Sequence, residues 1–477
     1  MIRSGQSWFA FTFIFLLGIL IFEFVLGNSV ADAQTQAVKT DSLWTRKTGD
    51  DWPEFLGKDR DGKSNEKGIL TDWDGGNLKI KWTRPLKESY GIGSVADGRY
   101  FQFDRVDDDE VLTCLNAETG AELWSKSYPT SYKDLYGYNG GPRTSPVIDN
   151  GRVYTYGVAG ELRCHAIADG QLIWKRNTSK DFGVIQNFFG IGSTPIIFDD
   201  LVIAMVGGSP EVSKSVPTGA LDQVVGNGSA IVAFDKSTGK TRYQFSDDLA
   251  SYSSPVIAEI NGEKLCFAFC RAGLICFNPS NGKQKFDYPW RDSKLESVNA
   301  SNPVIVDDQV FISETYGPGS SLLKVTKENY EIVWKDEKRS RVRAMQTHWN
   351  TAIHHKGFLY GSSGRHTNNA VLKCIDAKTG NEKWSLPRLT RSSLLYIDGH
   401  FICLTEVGRL FLFKASPEKF EVVTEIRLDL ISPKGSDPSD KLLSYPCWAA
   451  PIVSHGLLYV RGDRHLICLD LIPEEKK

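Results

Sequence analysis

The sequence predicts an all-β fold built from repeated units of four short strands. Residues 144–174 show the unit most clearly: apolar runs at 145–148, 153–156 and 162–167 are separated by turn-forming residues. A fourth run begins at 172–174, and no run has the length and 3.6-residue period of a helix. Because a single four-stranded sheet cannot bury both of its faces, the unit must recur to form a core.

The unit does recur along the chain, and its marker is a turn followed at a fixed distance by an aromatic residue. In 377–384 the turn Ala-Lys-Thr-Gly ends at Gly380, and Trp384 follows four residues later. The turn before Trp334 lacks glycine, but its spacing is the same. Successive aromatic residues lie roughly 40–50 residues apart, which is the period of a β-propeller with four strands in each blade. The predicted docking aromatics are Trp82, Trp124, Trp174, Tyr243, Phe286, Trp334 and Trp384.

Counting the units predicts eight blades. They begin near Gly93, Arg143, Ser193, Ser253, Ser301, Asn350, Ser393 and Trp448. The eighth unit ends at 469–471 without a fourth strand, whereas a spare strand occurs at 79–83. We expect this N-terminal strand to complete the last blade and close the ring, which leaves no open sheet edge. The seventh unit lacks the glycine turn at 414–417, so seven blades remain the alternative.

The N-terminus has the pattern of a secretory signal peptide. Arg3 precedes an apolar run at 9–26, which Glu23 interrupts, and a small-residue cleavage site ends at Ala33. We therefore expect residues 1–33 to be removed and the protein to be exported to the periplasm or beyond, with no stable membrane span. An uncleaved membrane anchor is the alternative.

The remaining chain is predicted to be one large domain. Residues 34–50 are polar and predict a flexible tether, 51–472 form the propeller domain, and 473–477 are a short tail. The aromatic and turn-forming segment 52–62 is expected to pack over one end of the ring. The net charge is −2, without a basic block, so a nucleic-acid partner is not expected.

The cysteines and histidines do not predict a catalytic or metal site. Of nine cysteines, five occupy the same position in the third strand of different units, where neighbouring blades hold them too far apart to bridge. We expect few or no disulfides. No metal ligands are predicted, and catalytic residues stay unknown, because no nucleophile or zinc motif occurs.

The motif at 377–384 resembles the tryptophan-docking motif of the pyrroloquinoline-quinone (PQQ) repeat, and the likeness extends over roughly 52–472. The resemblance implies membership of the quinoprotein alcohol dehydrogenase-like and BamB-like superfamily. One branch of that superfamily comprises dehydrogenases that hold PQQ and calcium at the channel mouth. The other comprises scaffolds such as BamB. The chain lacks the adjacent cysteine pair typical of the enzymes and the lipidated cysteine of BamB.

The predicted binding site is the mouth of the central channel, on the face reached by residues that precede each first strand. Arg143 is the one strong cation that this rule places there, and the alternative is that these residues only satisfy the strand ends. The candidate residues are Asn139, Arg143, Asn187, Ser193, Tyr252, Asn299, Asn302, His348, Trp349, Asn350 and Trp448. The insertion 207–228 is expected either to meet a partner or to be a tolerated loop.

The sequence thus predicts an exported, monomeric PQQ-like propeller that acts as a binding or assembly scaffold for a protein or a small polar ligand. The alternative is a PQQ- and calcium-dependent quinoprotein oxidoreductase that acts on an alcohol or a sugar. No cofactor is assigned on the residues themselves.

Overall fold

The computed structural model describes residues 41–217, 220–337, 342–433 and 435–474. The predicted signal peptide, 1–33, lies outside the described residues, as do 34–40 of the tether and 475–477 of the tail. In the part of the chain that is described, no helix is both long and apolar enough to cross a membrane.

The described chain forms eight sheets, each with four antiparallel strands, which are the blades of an eight-bladed β-propeller. Blade 1 has the strands Ser94–Ala96, Arg99–Val106, Asp109–Asn116 and Glu122–Pro129, and blade 2 has Val147–Asp149, Arg152–Tyr156, Glu161–Ala166 and Leu172–Asn177. Blade 3 has Ile196–Phe198, Leu201–Met205, Ile231–Asp235 and Thr241–Phe245, and blade 4 has Val256–Ile260, Glu263–Phe269, Gly273–Phe277 and Gln284–Pro289. Blade 5 has the strands Val304–Val306, Gln309–Ser313, Ser320–Val325 and Tyr330–Lys335, and blade 6 has Ile353–His355, Phe358–Ser363, Val371–Asp376 and Glu382–Pro387. Blade 7 has Ser392–Ile397, His400–Thr405, Leu410–Lys414 and Val422–Ile426, and blade 8 has Ile452–Ser454, Leu457–Arg461, His465–Asp470 and Lys79–Pro85.

Within the described residues, helical structure is confined to short segments between strands. The one α-helix of the described residues is Thr178–Phe182, which Asn177 caps by accepting a hydrogen bond from the Lys180 amide. The 3₁₀ turns are Asp74–Gly76, Glu211–Ser215, Leu221–Gln223, Thr367–Asn369 and Leu428–Leu430. First strands of neighbouring blades contact one another, so they lie nearest the axis of the ring.

The ring closes as predicted. Lys79–Pro85 pairs antiparallel with His465–Asp470, so the last blade takes its outer strand from the N-terminal part of the chain. The seventh blade has all four of its strands, which excludes the seven-bladed alternative. It also has a fifth strand that the sequence did not predict: Lys63–Ser64 pairs in parallel with its first strand.

Each docking tryptophan joins its blade to the turn of the next blade. The Nε1 atoms of five tryptophans donate to backbone carbonyls in those turns: Trp82 to Ala117 (3.0 Å), Trp124 to Ile167 (3.1 Å), Trp174 to Lys236 (3.0 Å), Trp334 to Ala377 (2.9 Å) and Trp384 to Ser416 (2.9 Å). Trp82 makes this contact from the closing strand, so the closure repeats the contact made elsewhere in the ring. The Tyr243 hydroxyl makes the equivalent bond to Pro279, whereas Phe286 packs on the ring of Tyr330.

The glycine of the turn is required by this docking. Gly120 has φ of +71°, and a Cβ there would lie 2.7 Å from the ring of Trp82. A side chain at this position would therefore be strained by its backbone and would also displace the tryptophan.

The repeated cysteines lie opposite the docking aromatics on the neighbouring strand. Cys114, for example, is the cross-strand partner of Trp124, and Cys374 is the partner of Trp384. All nine cysteines are buried and free. The small thiol therefore acts as an apolar packing residue, as the repeat position predicted.

The described part of the predicted tether is ordered against blade 8. The ring of Trp44 stacks on His455 at 4.1 Å. Arg46 is ion-paired with Asp470, and its Nη1 donates to the Ile472 carbonyl at 2.9 Å. These contacts tie Trp44 and Arg46 to blade 8, and a flexible tether over 34–50 stays a prediction.

Candidate functional site

A cavity of about 950 Å³ opens at the centre of the ring. Two kinds of loop line it. Arg143 comes from a loop that precedes a first strand, and Arg365 comes from a loop between a second and a third strand. Both kinds of loop reach the same face, which is the face that the sequence predicted for the channel mouth. We call this cavity the cup.

The N-terminal segment 50–66 forms the floor of the cup. Trp52 bridges to Val95 in the first strand of blade 1, and Lys63–Ser64 pairs with the first strand of blade 7. Between these points the side chains of Phe55 and Leu56 face the cavity. The segment therefore crosses the channel and makes it a closed-ended cup.

Arg60 holds this floor in place. It is ion-paired with Glu54, and its guanidinium donates to the carbonyls of Pro255 (2.9 Å) and Pro195 (2.6 Å) in two neighbouring blades. Arg60 and Leu56 have φ of +53° and +62°, a region that costs non-glycine residues about 1–3 kcal/mol each. These contacts maintain a backbone conformation that the segment would not adopt alone.

The wall of the cup is a belt of aromatic rings. Trp448 lies at its centre: its ring centroid is 4.9 Å from Tyr90, 6.0 Å from Tyr138 and 6.0 Å from Trp349. The belt continues from Tyr138 through further rings of the lining, which are Tyr136, Phe188, Phe189 and Tyr252. Such rings offer a large apolar surface with a few polar edges.

Two of the three arginines that line the cup are fully engaged within the protein. Arg143 donates to Asp134 Oδ2 at 2.9 Å and to the carbonyls of Gly141 and Asn139. Arg391 donates through Nη2 and Nε to Glu406, whose side chain is completely buried. Their charges are therefore neutralised before any ligand arrives.

His348 links Arg391 to Tyr316. Its Nδ1 lies 3.1 Å from Arg391 Nη1, and its Nε2 lies 3.2 Å from the Tyr316 hydroxyl. Burial, together with the nearby charges of Arg391 and Arg365, lowers the pKa of His348 to about 3. The imidazole is therefore neutral at physiological pH.

The third arginine, Arg365, is the most accessible. Its side chain is 34% exposed and its guanidinium lies 4.4 Å from the centroid of the Tyr316 ring. Its one ion pair in the described chain is with Glu296 at 3.6 Å, which is longer than a hydrogen bond. Glu296 is the one carboxylate among the described residues that line the cup.

The structure brings six of the eleven predicted site residues into the cup. They are Arg143, Tyr252, His348, Trp349, Asn350 and Trp448. Asn350 also braces the loop, since its Nδ2 donates to the Ser362 carbonyl at 2.8 Å. Direct contact of these side chains with a ligand stays a prediction.

The other five predicted residues lie between blades or in loops. Asn299 Nδ2 donates to the Cys270 carbonyl, and Asn302 Oδ1 accepts from the Ser254 amide. Asn187 and Ser193 line a separate cavity of about 230 Å³. Asn139 accepts from Gly141 within its own loop. For these five residues, a role in satisfying the strand ends stays the alternative prediction.

Sequence reasoning missed several residues of the cup. Arg391 directly precedes the first strand of blade 7, so the rule used for the other blades could have found it. Tyr316 and Arg365 lie in loops between second and third strands, which open on the same face but which a rule based on first strands does not reach. The aromatic floor residue Phe55 had no periodic signal.

Comparison with known proteins identifies the family of this chain. Residues 107–386, more than half of the chain, match the profile of the family described as outer membrane protein assembly factor BamB. The chain belongs to the BamB family. No curated protein matches this BamB-family chain significantly.

Solved structures similar to this BamB-family chain include both enzymes and scaffolds. Quinohemoprotein alcohol dehydrogenase from Comamonas testosteroni has a TM-score of 0.60 at 13% identity, covering 93% of this chain and 84% of its own. BamB from Moraxella catarrhalis has a TM-score of 0.52 at 12% identity, covering 84% and 99%. A europium-containing methanol dehydrogenase has a TM-score of 0.50 at 12% identity, covering 88% and 98%. At these identities the likeness shows the fold alone.

The lining of the cup does not fit the calcium and PQQ pair that the dehydrogenase resemblance implies. Calcium takes six to eight oxygen ligands, usually with several carboxylates. The cup offers Glu296, which faces Arg365, while Glu406 is saturated by Arg391 and by Trp448 Nε1 at 3.1 Å. No group of three or more potential metal-ligating side chains occurs among the described residues. We therefore assign no reaction step to the cup.

Proposed function

We propose that this BamB-family protein is an exported binding or assembly scaffold that holds an extended apolar peptide segment in its cup. The observation that carries the proposal is the closed-ended aromatic cavity of about 950 Å³ at the channel mouth. A cavity of this size lies at the upper end of ligand pockets, which run to about 1,000 Å³. It has room for several side chains of one segment.

The chemistry of the wall favours a peptide with large apolar side chains. The rings around Trp448 present faces for apolar and aromatic groups. Tyr136 and Tyr138 are 50% and 44% exposed, so part of this surface is open to solvent before binding. Covering these rings would remove apolar area from water, which is the main driving force for association.

The family and the predicted export support the same proposal. The family profile is described as an outer membrane protein assembly factor, and assembly factors of that kind meet other polypeptides. The pattern of residues 1–33 predicts that this chain is also exported. Its nine buried free cysteines are compatible with export because burial raises the pKa of thiols such as Cys114, to about 12, and keeps them unreactive.

A fluorescence titration tests the proposal. The probe is an acetylated, amidated hexapeptide that alternates phenylalanine and glycine, and the control peptide alternates serine and glycine. Because Trp448 and Trp349 lie in the cup, we expect a saturable change in tryptophan emission with the first peptide and none with the second. PQQ, with and without calcium, is titrated in parallel.

Two results would count against the scaffold function. If the phenylalanine peptide produces no saturable change, the cup does not hold apolar segments. If PQQ instead produces a calcium-dependent change, the alternative, a quinoprotein oxidoreductase acting on an alcohol or sugar, replaces the proposal.

A further inference from the structure

The three guanidinium groups of the cup differ in how many of their donors are already used. Arg143 is 10% exposed and bonds to Asp134 and two carbonyls. Arg391 is 11% exposed and bonds to Glu406, to His348 and to the Arg365 carbonyl. Neither has a fork of donors left for a ligand.

Arg365 is held less tightly than the other two. Among the described residues, its guanidinium pairs with one carboxylate, that of Glu296, at 3.6 Å and near the surface, where Glu296 is 48% exposed. Exposed ion pairs of this kind contribute little to stability, so an incoming anion can displace Glu296 at little cost. The guanidinium carbon of Arg365 lies over the Tyr316 ring, 4.4 Å from its centroid, so the ring favours this position of the side chain.

The Tyr316 hydroxyl can also donate a hydrogen bond to a ligand. This follows from the directions of the hydrogen bonds around it. Arg391 Nη1 can only donate, so His348 Nδ1 must accept and carries no proton. The neutral ring then holds its proton on Nε2 and donates it to the Tyr316 oxygen. The hydrogen of the Tyr316 hydroxyl therefore remains free to point to another acceptor.

We propose that Arg365 and the Tyr316 hydroxyl form a carboxylate-binding subsite at the edge of the aromatic cup. The planar fork of an arginine matches the two oxygens of a carboxylate, and a neighbouring hydroxyl donor adds a third bond. The inference rests on the proposed peptide-binding function and adds the ligand chemistry to it. The carboxylate is either the free C-terminus of the bound segment or an acidic side chain within it.

The test compares three forms of the phenylalanine–glycine hexapeptide by isothermal titration calorimetry. One form has a C-terminal amide, one has a free C-terminal carboxylate, and one is the amide with glutamate in place of a central glycine. We expect at least one carboxylate form to bind wild type about tenfold more tightly than the plain amide, since hydrogen bonds to charged groups are the stronger class. The form that binds more tightly shows whether the subsite recognises a C-terminal carboxylate or an acidic side chain.

Variants locate the effect. Arg365→Gln should bind all three peptides with the affinity that wild type has for the plain amide. Tyr316→Phe keeps the ring beneath Arg365, and its preference for the carboxylate peptide over the amide should be severalfold smaller than that of wild type. Both variants should keep the wild-type melting temperature. The control Arg242→Gln removes another exposed, ion-paired arginine, 47% exposed and far from the cup lining, and should change nothing.

The outcomes separate this inference from the function on which it rests. If the amide binds and neither carboxylate form binds more tightly, or if Arg365→Gln keeps the preference, the subsite is wrong and the peptide-binding cup stands. If no form binds, the cup does not bind peptides and the subsite falls with it.

Discussion

Arg143 and Asp134 form an ion pair of 2.9 Å behind the wall of the cup, with side chains 10% and 3% exposed. Asp134 accepts several hydrogen bonds within the loop that supplies part of the aromatic belt. Its Oδ1 accepts from the amides of Tyr136 (2.9 Å) and Tyr138 (3.0 Å), and its Oδ2 is 3.2 Å from the Tyr132 hydroxyl. Arg143 thus supports the positions of two rings of the cup.

We therefore predict that Arg143→Ala mainly lowers stability. Removing one partner leaves the Asp134 carboxylate buried without its counter-ion, which costs about 3–5 kcal/mol. Thermal unfolding measures the loss, and the double variant Arg143→Ala/Asp134→Ala should cost less than the sum of the single variants. An unchanged melting temperature together with weaker peptide binding would instead make Arg143 a ligand residue.

The tryptophan of the closing strand should contribute as much to the free energy of unfolding as a docking tryptophan within the ring. Trp82 and Trp174 are 9% and 8% exposed and donate to equivalent carbonyls of the following blade. We expect Trp82→Ala and Trp174→Ala each to lower the free energy of unfolding by about 3–5 kcal/mol. Chemical denaturation compares them directly. A much smaller loss for Trp82→Ala would show that the N-terminal strand does not seal the ring.

The floor of the cup should loosen when its anchor is removed. Arg60→Ala leaves Glu54 and the carbonyls of Pro195 and Pro255 without their partner. We expect faster hydrogen exchange in 52–64 and little change in the outer strands of the blades. The exposed Lys58→Ala is the matched control. Unchanged exchange in Arg60→Ala would mean that other contacts hold the floor.

Stability should also depend on the ionisation of Glu314, which lies under the Tyr316 loop. Its carboxylate accepts from the amides of Tyr316 (2.7 Å) and Gly317 (2.8 Å), yet burial raises its pKa from 4.5 to about 7. Between pH 4.5 and 7 the folded state keeps a proton that the unfolded state has lost. Folding is therefore progressively destabilised as pH rises through this window.

Melting curves of wild type and Glu314→Gln between pH 4 and 8 check this sign. The stability of wild type relative to the variant should fall from about pH 4.5 to pH 7 and then level off. The exposed Glu328→Gln should give a curve parallel to wild type. Parallel curves for Glu314→Gln would contradict the raised pKa.

The sequence predicted the ring because its signal is repeated. The spacing from Gly380 to Trp384 specifies a turn and an aromatic residue at a fixed distance, and both serve the contact between blades. It did not predict that Lys63–Ser64 joins blade 7, because two paired residues leave no period to detect.

The site was predicted less completely for a physical reason. Trp448 and Trp349 were found since each lies just before or at the start of a repeated first strand. Arg365 and Tyr316 lie in loops whose lengths differ from blade to blade, so no rule of spacing reaches them. The engagement of Arg143 by Asp134 depends on loop geometry that sequence alone does not show.

The most direct test of the peptide-binding cup is calorimetric binding of the phenylalanine–glycine hexapeptide to wild type, Trp448→Ala and Trp44→Ala. Trp448 is the centre of the aromatic belt, whereas Trp44 stacks on His455 outside the cup. Central aromatic residues of an interface typically cost about 2 kcal/mol or more when truncated. If the cup binds the peptide, Trp448→Ala should bind it at least tenfold more weakly, and Trp44→Ala should keep wild-type affinity. Equal affinity for wild type and Trp448→Ala would contradict it.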